Sequence, residues 1–274
     1  MHAICVTCGT QFAASEAPPE ICPICADERQ FVGWAGQEWT TLEELQARHR
    51  VVLQDEGDGL LGIGAEPRFA IGQRALLVPA EVRDASGKNV LWDCISLIDA
   101  ATVRVVEAQG GLSAIAISHP HYYSSMVEWS RAFGGAPIYL HADDRQWVMR
   151  PDPAIVFWEG NELELGEGLT LLRLGGHFAG AQVLHWTNGA DGRGVLLAGD
   201  ILQVVQDRRF VSFMYSYPNY IPLPAATVRR MVALLEPYPF ERVYGAWFGA
   251  VVRADAKAAV RRSAERYLCA LETG

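Results

Sequence analysis

Leu112-Ser113-Ala114-Ile115-Ala116-Ile117-Ser118-His119-Pro120-His121 reads as an apolar strand that ends on two histidines spaced by one residue. Side chains two apart on a strand share a face, so two imidazoles at such an end can reach one cation. Taken alone, the pair is equally readable as ordinary polar residues at a strand end. Two later segments add to it. Gly175-Gly176-His177 closes another β-like run, and Gly199-Asp200 follows the apolar Val195-Leu196-Leu197-Ala198. A third imidazole and a carboxylate thus also fall at strand ends beside glycines, and three imidazoles with one carboxylate suit Zn²⁺ or Fe²⁺.

Working outward, β-rich runs are expected at 75–79, 89–94, 112–118, 137–141, 170–174, 181–187 and 194–198. Helices are expected after the capping box that opens at Thr41, over 125–133 behind the Ser125-x-x-Glu128 box, over 225–235, and over 255–271. The last carries an apolar stripe of Val260, Ala264, Tyr267, Leu268 and Leu271, read as a docking face within the fold. There is no internal repeat, and the irregular alternation points to layered α/β or α+β packing. Gly57-Asp58-Gly59-Leu60-Leu61-Gly62 matches a dinucleotide fingerprint as a string, but no helix pattern follows to hold a pyrophosphate, so that reading is set aside.

The N-terminus carries a second cluster. Cys5-x-x-Cys8 and Cys22-x-x-Cys25, thirteen residues apart, make two chelating turns, with Gly9 and Pro23 as turn formers. A disulfide framework would need an oxidising compartment, and a redox pair would not need a matching second pair. Structural zinc is the expectation, with iron possible because spacing does not identify the metal. Cys94 and Cys269 lie in apolar segments and are expected to be buried thiols.

The order of the histidine elements resembles that of the metallo-β-lactamase superfamily, whose signature runs His-x-His-x-Asp-His, Gly-His, Gly-Asp and a distal His. His119-Pro120-His121, Gly176-His177 and Gly199-Asp200 match the first three, and Leu91-Trp92-Asp93 looks like its earlier strand ending in a supporting aspartate. The resemblance covers about residues 50–250 and implies a four-layer αββα sandwich. With the cysteines it gives an α+β chain in two parts, a zinc-ribbon or rubredoxin-like module over 1–36 and a metallo-β-lactamase-like domain over 37–274.

Tyr123-Ser124 stands where the family has Asp-His, and Tyr244-Gly245-Ala246-Trp247-Phe248 where the distal His is expected. Those groups serve a second ion. The resemblance therefore implies one metal, held by His119, His121 and His177 with Asp200 as a fourth ligand or close partner. Zinc is expected there, with iron possible. Asp200 is the candidate to orient or deprotonate a zinc-bound water, and Tyr123 to donate to a developing oxyanion. Asp93 is expected to support a metal-bound imidazole, and His141 to do so, to contact substrate or to be structural. The helix start at Ser125 could hold an anion near the metal. Ser124 has no base in sequence to make it a nucleophile.

Tyr215 and Tyr217, in the aromatic run after the Gly-Asp strand, are candidate walls of a substrate pocket, with core packing as the rival. The function expected is hydrolysis of an ester, thioester, lactone, amide or phosphoester. The alternatives are a mononuclear iron dioxygenase of the persulfide type and a non-catalytic metal-binding interaction protein.

A net charge of −9 argues against nucleic acid or anionic lipid as partner. Residues 1–36 contain Arg29 as their only Lys or Arg, against four acidic residues. No apolar run is long enough for a membrane span, and the N-terminus does not read as a signal sequence, so a cytoplasmic chain with a small-molecule substrate is expected. Homo-oligomer formation stays open.

Overall fold

The computed structural model describes residues 1–79, 88–166 and 168–272. Two mixed sheets form its centre. The first has seven strands in sequential order, β1 (Arg50–Gly57), β2 (Leu60–Glu66), β3 (Ala75–Val78), β4 (Asn89–Trp92), β5 (Leu112–Ala116), β6 (Ile138–His141) and β7 (Ile155–Trp158). β1 to β4 pair antiparallel and β4 to β7 parallel. The second has six, β8 (Glu162–Gly166), β9 (Leu169–Arg173), β10 (Gln182–Trp186), β11 (Val195–Gly199), β12 (Arg242–Gly245) and β13 (Val251–Val252), antiparallel except for β11 beside β12.

The period-two alternation of strands explains the layering. Leu76, Val78, Val90, Trp92, Ala114 and Ala116 face the second sheet and meet Leu171, Leu184, Trp186, Val195 and Leu197. Their neighbours Ala75, Leu77, Leu91 and Ile115 turn outward under α3 (Met126–Ala132), through Met126, Val127 and Trp129, and α2 (Ala100–Ala108), through Val106. On the other side Leu172, Val183, Leu196, Ala198 and Val243 pack under α4 (Ala225–Leu235) and α5 (Ala256–Glu272). Strands buried on both faces read as continuous apolar runs, as β5 and β11 do. The result is the αββα sandwich, with α1 (Leu42–Arg48) at its N-terminal side.

Several expectations shift. α2 replaces an unassigned stretch: Asp99 caps it by accepting from the Thr102 amide at 2.7 Å. The Gly57–Gly62 string is the β1–β2 hairpin turn, with Gly57, Asp58 and Gly59 all at positive φ. Ser125 makes no capping hydrogen bond, because the Glu128 amide donates to the Ser125 carbonyl oxygen at 2.9 Å instead of to its hydroxyl, while the Glu128 side chain pairs with Arg150. Cys94 is buried, but Cys269 is exposed, since it falls off the Val260–Ala264 stripe of α5. None of the described helices is long and apolar enough to cross a membrane.

Candidate metal centre

Parallel β5 and β11 deliver their C-terminal ends to one rim, the place where α/β sheets build sites. The two sheets are locked there by Gln182, which is fully buried. Its amide N–H donates to Ser118 O at 2.9 Å, its Nε2 donates to Ile117 O at 2.7 Å, and its Oε1 accepts from Trp158 Nε1 at 2.8 Å. At Gly199, φ is +55° and a Cβ would stand 2.8 Å from Ser118 Oγ, so only glycine lets β11 approach this closely. Gly176, at φ +87°, is likewise pressed against Leu223 and Met231, a Cβ there lying 2.9 Å from Leu223 Cδ1.

The structure brings His119, His121 and His177 together, with one ligand nitrogen from each lying within 4.8 Å of the others. All three are at most 3% exposed. His177 Nε2 and His121 Nδ1 are 3.3 Å apart, and His119 Nε2 is 3.3 Å from Asp200 Oδ1. His119 Nε2 and Asp200 Oδ1 lack a hydrogen-bond partner among the described residues, although both are buried. Buried lone pairs turned on one another without partners are costly, and a cation removes that cost. Burial is also what pulls His119 and His121 well below the ordinary imidazole range and His177 down to about 4, so all three offer neutral ligands at neutral pH. The donor set therefore fits one divalent ion, with Asp200 bordering it through His119.

The remaining nitrogens are fixed by neighbours. His177 Nδ1 is 2.7 Å from the Tyr215 carbonyl oxygen, so it carries the proton and donates, leaving Nε2 for the site. His119 Nδ1 is 3.0 Å from Ser118 Oγ. The carboxylate of Asp93 accepts from the Ser118 amide at 2.7 Å and from its hydroxyl. Asp93 thus supports His119 through Ser118, not directly as expected, and sits in the left-handed region at φ +62°. Burial raises both Asp93 and Asp200 to about 7, with Asp93 also adding to the shift on Asp200.

Other expected residues fall elsewhere. Tyr123 packs its ring in the outer core of the first sheet, and the charge it feels is Asp144, whereas its neighbour Tyr122 lies edge-on to His119 at 4.8 Å and feels Asp200. His141 spends its nitrogens on the Gly160 carbonyl and the Asp143 amide, so it does not support a ligand imidazole. Of the aromatic run, Phe213 is core, Tyr217 donates its hydroxyl to Asp200 O at 2.6 Å, and Tyr215 stands half-buried at the site. Phe178 was not anticipated, yet its ring contacts all three histidines.

The cysteines gather as their spacing predicts. Cys5 Sγ is 3.6 Å from Cys25 Sγ and Cys8 Sγ is 3.7 Å from Cys22 Sγ, and all four are buried. Shared S–H contacts push Cys5 and Cys22 down and Cys8 and Cys25 up, so the set cannot shed every proton without a cation in its middle. Each turn closes on itself, Gly9 N–H donating to Cys5 O and Ala26 N–H to Cys22 O. The strand that completes the module, Trp39–Thr40 against Ile4–Cys5, lies beyond residue 36.

No family model matches the chain. Among solved structures, it resembles the metallo-β-lactamase FIM-1 from Pseudomonas aeruginosa in its mono-zinc form (TM-score 0.55, 14% identity, 79% of this chain and 95% of that one). It also resembles a metallo-β-lactamase from Hirschia baltica (0.54, 17%, 79% and 97%) and the Flv1 flavodiiron core from Synechocystis sp. PCC6803 (0.52, 15%, 80% and 61%). These likenesses establish the fold. In sequence it is 50% identical over 272 residues to the uncharacterized protein YmaE of Bacillus subtilis (strain 168), spanning 98% of this chain and 97% of that one. The chain thus belongs to one family with YmaE, a variant of the metallo-β-lactamase fold with a four-cysteine cluster ahead of it and a three-histidine cluster at its rim.

Proposed function

We propose that the protein is a metal-dependent hydrolase with a mononuclear centre on His119, His121 and His177, acting on an ester, thioester, lactone, amide or phosphoester of a small molecule. The observation that carries this reading is the convergence of three buried, neutral imidazoles beside a buried carboxylate whose oxygen has no other partner among the described residues. A zinc ion held there would make a bound water acidic enough to react near pH 7 and polarise a carbonyl or phosphoryl oxygen.

The chain's own groups supply the rest. Asp200, raised by burial to about 7, is poised to take a proton at Oδ1 near neutral pH and return it to a leaving group. Tyr122, whose ring lies edge-on to His119 and whose buried hydroxyl has no hydrogen bond among the described residues, is our candidate to donate to a developing oxyanion, in the role expected of Tyr123. Asp93 and Ser118 hold the His119 ring. Trp147, Phe178 and Tyr215 gather on one side around Arg29 as an aromatic wall.

The test is metal analysis of the intact protein followed by a panel of the five ester-like substrate classes. Asp200→Asn should lose at least about a hundredfold in kcat with the fold retained; unchanged turnover would remove Asp200 from the reaction. Iron at the histidines with oxygen uptake on a persulfide would replace hydrolysis by dioxygenase chemistry, for which the same donors suffice. Persistent inactivity of a metal-loaded sample would leave a binding protein. A cytoplasmic setting accords with thiols at four cysteines kept as metal ligands.

A further inference from the structure

The fold places the only basic residue of the cysteine module on the histidine site. The Arg29 guanidinium carbon lies 4.0 Å from the centre of the Phe178 ring, the same ring that touches the three histidines. Trp147 and Tyr215 flank it at 5.1 and 5.4 Å. Nη1 reaches the His177 carbonyl oxygen at 3.4 Å. Trp147 in turn packs against the cysteine cluster and against the outer cores of both sheets, so this corner is where all parts of the molecule meet.

Arg29 is held in advance. Asn219 Nδ2 donates to the carbonyls on either side of it, Glu28 O at 2.8 Å and Gln30 O at 3.0 Å, and the Cys25 turn fixes the chain just before. Asp27 takes the Nε and Nη2 edge, at 2.5 and 2.8 Å. The Nη1 edge faces the site with one long contact among the described residues, and the side chain is 12% exposed. A planar guanidinium pinned between aromatic rings, with one edge left over, is the arrangement that recognises carboxylates and phosphates. Its fixed geometry reduces the ordering that binding must cost.

We propose that Arg29 is an anion-binding residue of the histidine site, so that the substrate carries a carboxylate or phosphate beside its reacting group and the cysteine module forms part of the substrate pocket. This rests on the metal reading of the histidines. Asp27 is then the internal anion that an incoming one displaces or shares, which gives the assignment a sign that a structural ion pair would lack.

Titration calorimetry with acetate and with inorganic phosphate tests it on the full chain, with metal content measured in each sample. Arg29→Met, which keeps the stem against Phe178, should raise the Kd of the preferred anion about tenfold or more, the loss of one charge-assisted hydrogen bond. Asp27→Asn should lower it. Opposite responses support the assignment, and the anion that shows the larger response names the substrate's charged group. Equal responses in one direction, or none, overturn it; should Arg29→Met fail to fold, Asp27→Asn without tighter binding does so alone. An empty histidine site that still binds the anion through Arg29 sinks only the hydrolase reading, and a loaded site indifferent to both substitutions sinks only this one.

Discussion

The cysteine and histidine clusters are both buried groups of soft or borderline ligands, yet they are built in contrary ways. The four sulfurs come from residues 5 to 25, turn on one another, and are closed by hydrogen bonds within their own turns and by Gln37, whose Nε2 donates to Cys5 Sγ at 3.2 Å. The histidines come from two segments, at residues 119–121 and at 177, with Asp200 beside them from a third, and their neighbours are unlike: a serine relay on one, a carbonyl on another, a carboxylate against the first. A symmetrical, locally closed shell leaves nowhere for a substrate, whereas an asymmetrical one gathered at a rim leaves a position to be filled. Structural and reactive metal sites separate along that line.

Removing ligands should break the comparison most forcefully. Cys5→Ser with Cys8→Ser should cost one metal per chain and a large share of the module's stability, since structural zinc contributes about 10–16 kcal/mol of apparent binding free energy. Thermal melts with metal analysis check this. His119→Ala with His121→Ala should cost the other metal with a much smaller change in melting temperature. We expect two ions in the parent; three would overturn the mononuclear reading.

Acidity sharpens the contrast on the histidine side. Burial puts Asp200 at about 7 and His177 at about 4, so protons compete with a cation at Asp200 as the pH falls below about 7, and at His177 only much lower. If Asp200 binds the ion, affinity should drop about tenfold per unit of falling pH over that range, and Asp200→Asn should flatten the slope. Competition with a chelating dye between about pH 5 and 8 measures it. A flat parent profile would place Asp200 outside the coordination shell.

The smallest effect expected is at Ser118. Ser118→Ala breaks the link from Asp93 to His119 Nδ1 and should weaken metal binding about 10- to 100-fold without loss of fold. The same dye competition would show it, and an unchanged affinity would make the serine a passive neighbour.

Much of the arrangement could be read from residues in order. The apolar runs of β3, β4 and β5 and the histidines and aspartate at strand ends carry the sandwich and its rim, because apolar runs and their ends are local properties. α2 escaped notice because Thr102, Val103, Val105 and Val106 are β-branched, and only Asp99 marks its start. The box expected at Ser125 does not form, because the Glu128 amide turns to the Ser125 carbonyl and its side chain to Arg150, a partner that local sequence cannot supply. Tyr122 and Tyr123 are adjacent and chemically equal, and only the short turn over Pro120–Tyr122 decides which meets His119. Arg29 was visible as the sole cation of its segment, but its meaning depends on Phe178, Trp147 and Tyr215.

The seam between the module and the sandwich also sets an order in time. Its hydrogen bonds join residue 11 to 124, 13 to 149, 29 to 177, and 28 and 30 to 219. A chain emerging from the ribosome has all four cysteines by residue 25, long before any of those partners exist, so the sulfur site can capture its ion alone. The last histidine ligand comes at residue 177, Asp200 later, and Asn219, which clamps the backbone around Arg29, later still. The sulfur site therefore has its full ligand set early, whereas the nitrogen site, with His177 held by the Tyr215 carbonyl and Gly176 set against Leu223 and Met231, can close only after those later residues have emerged.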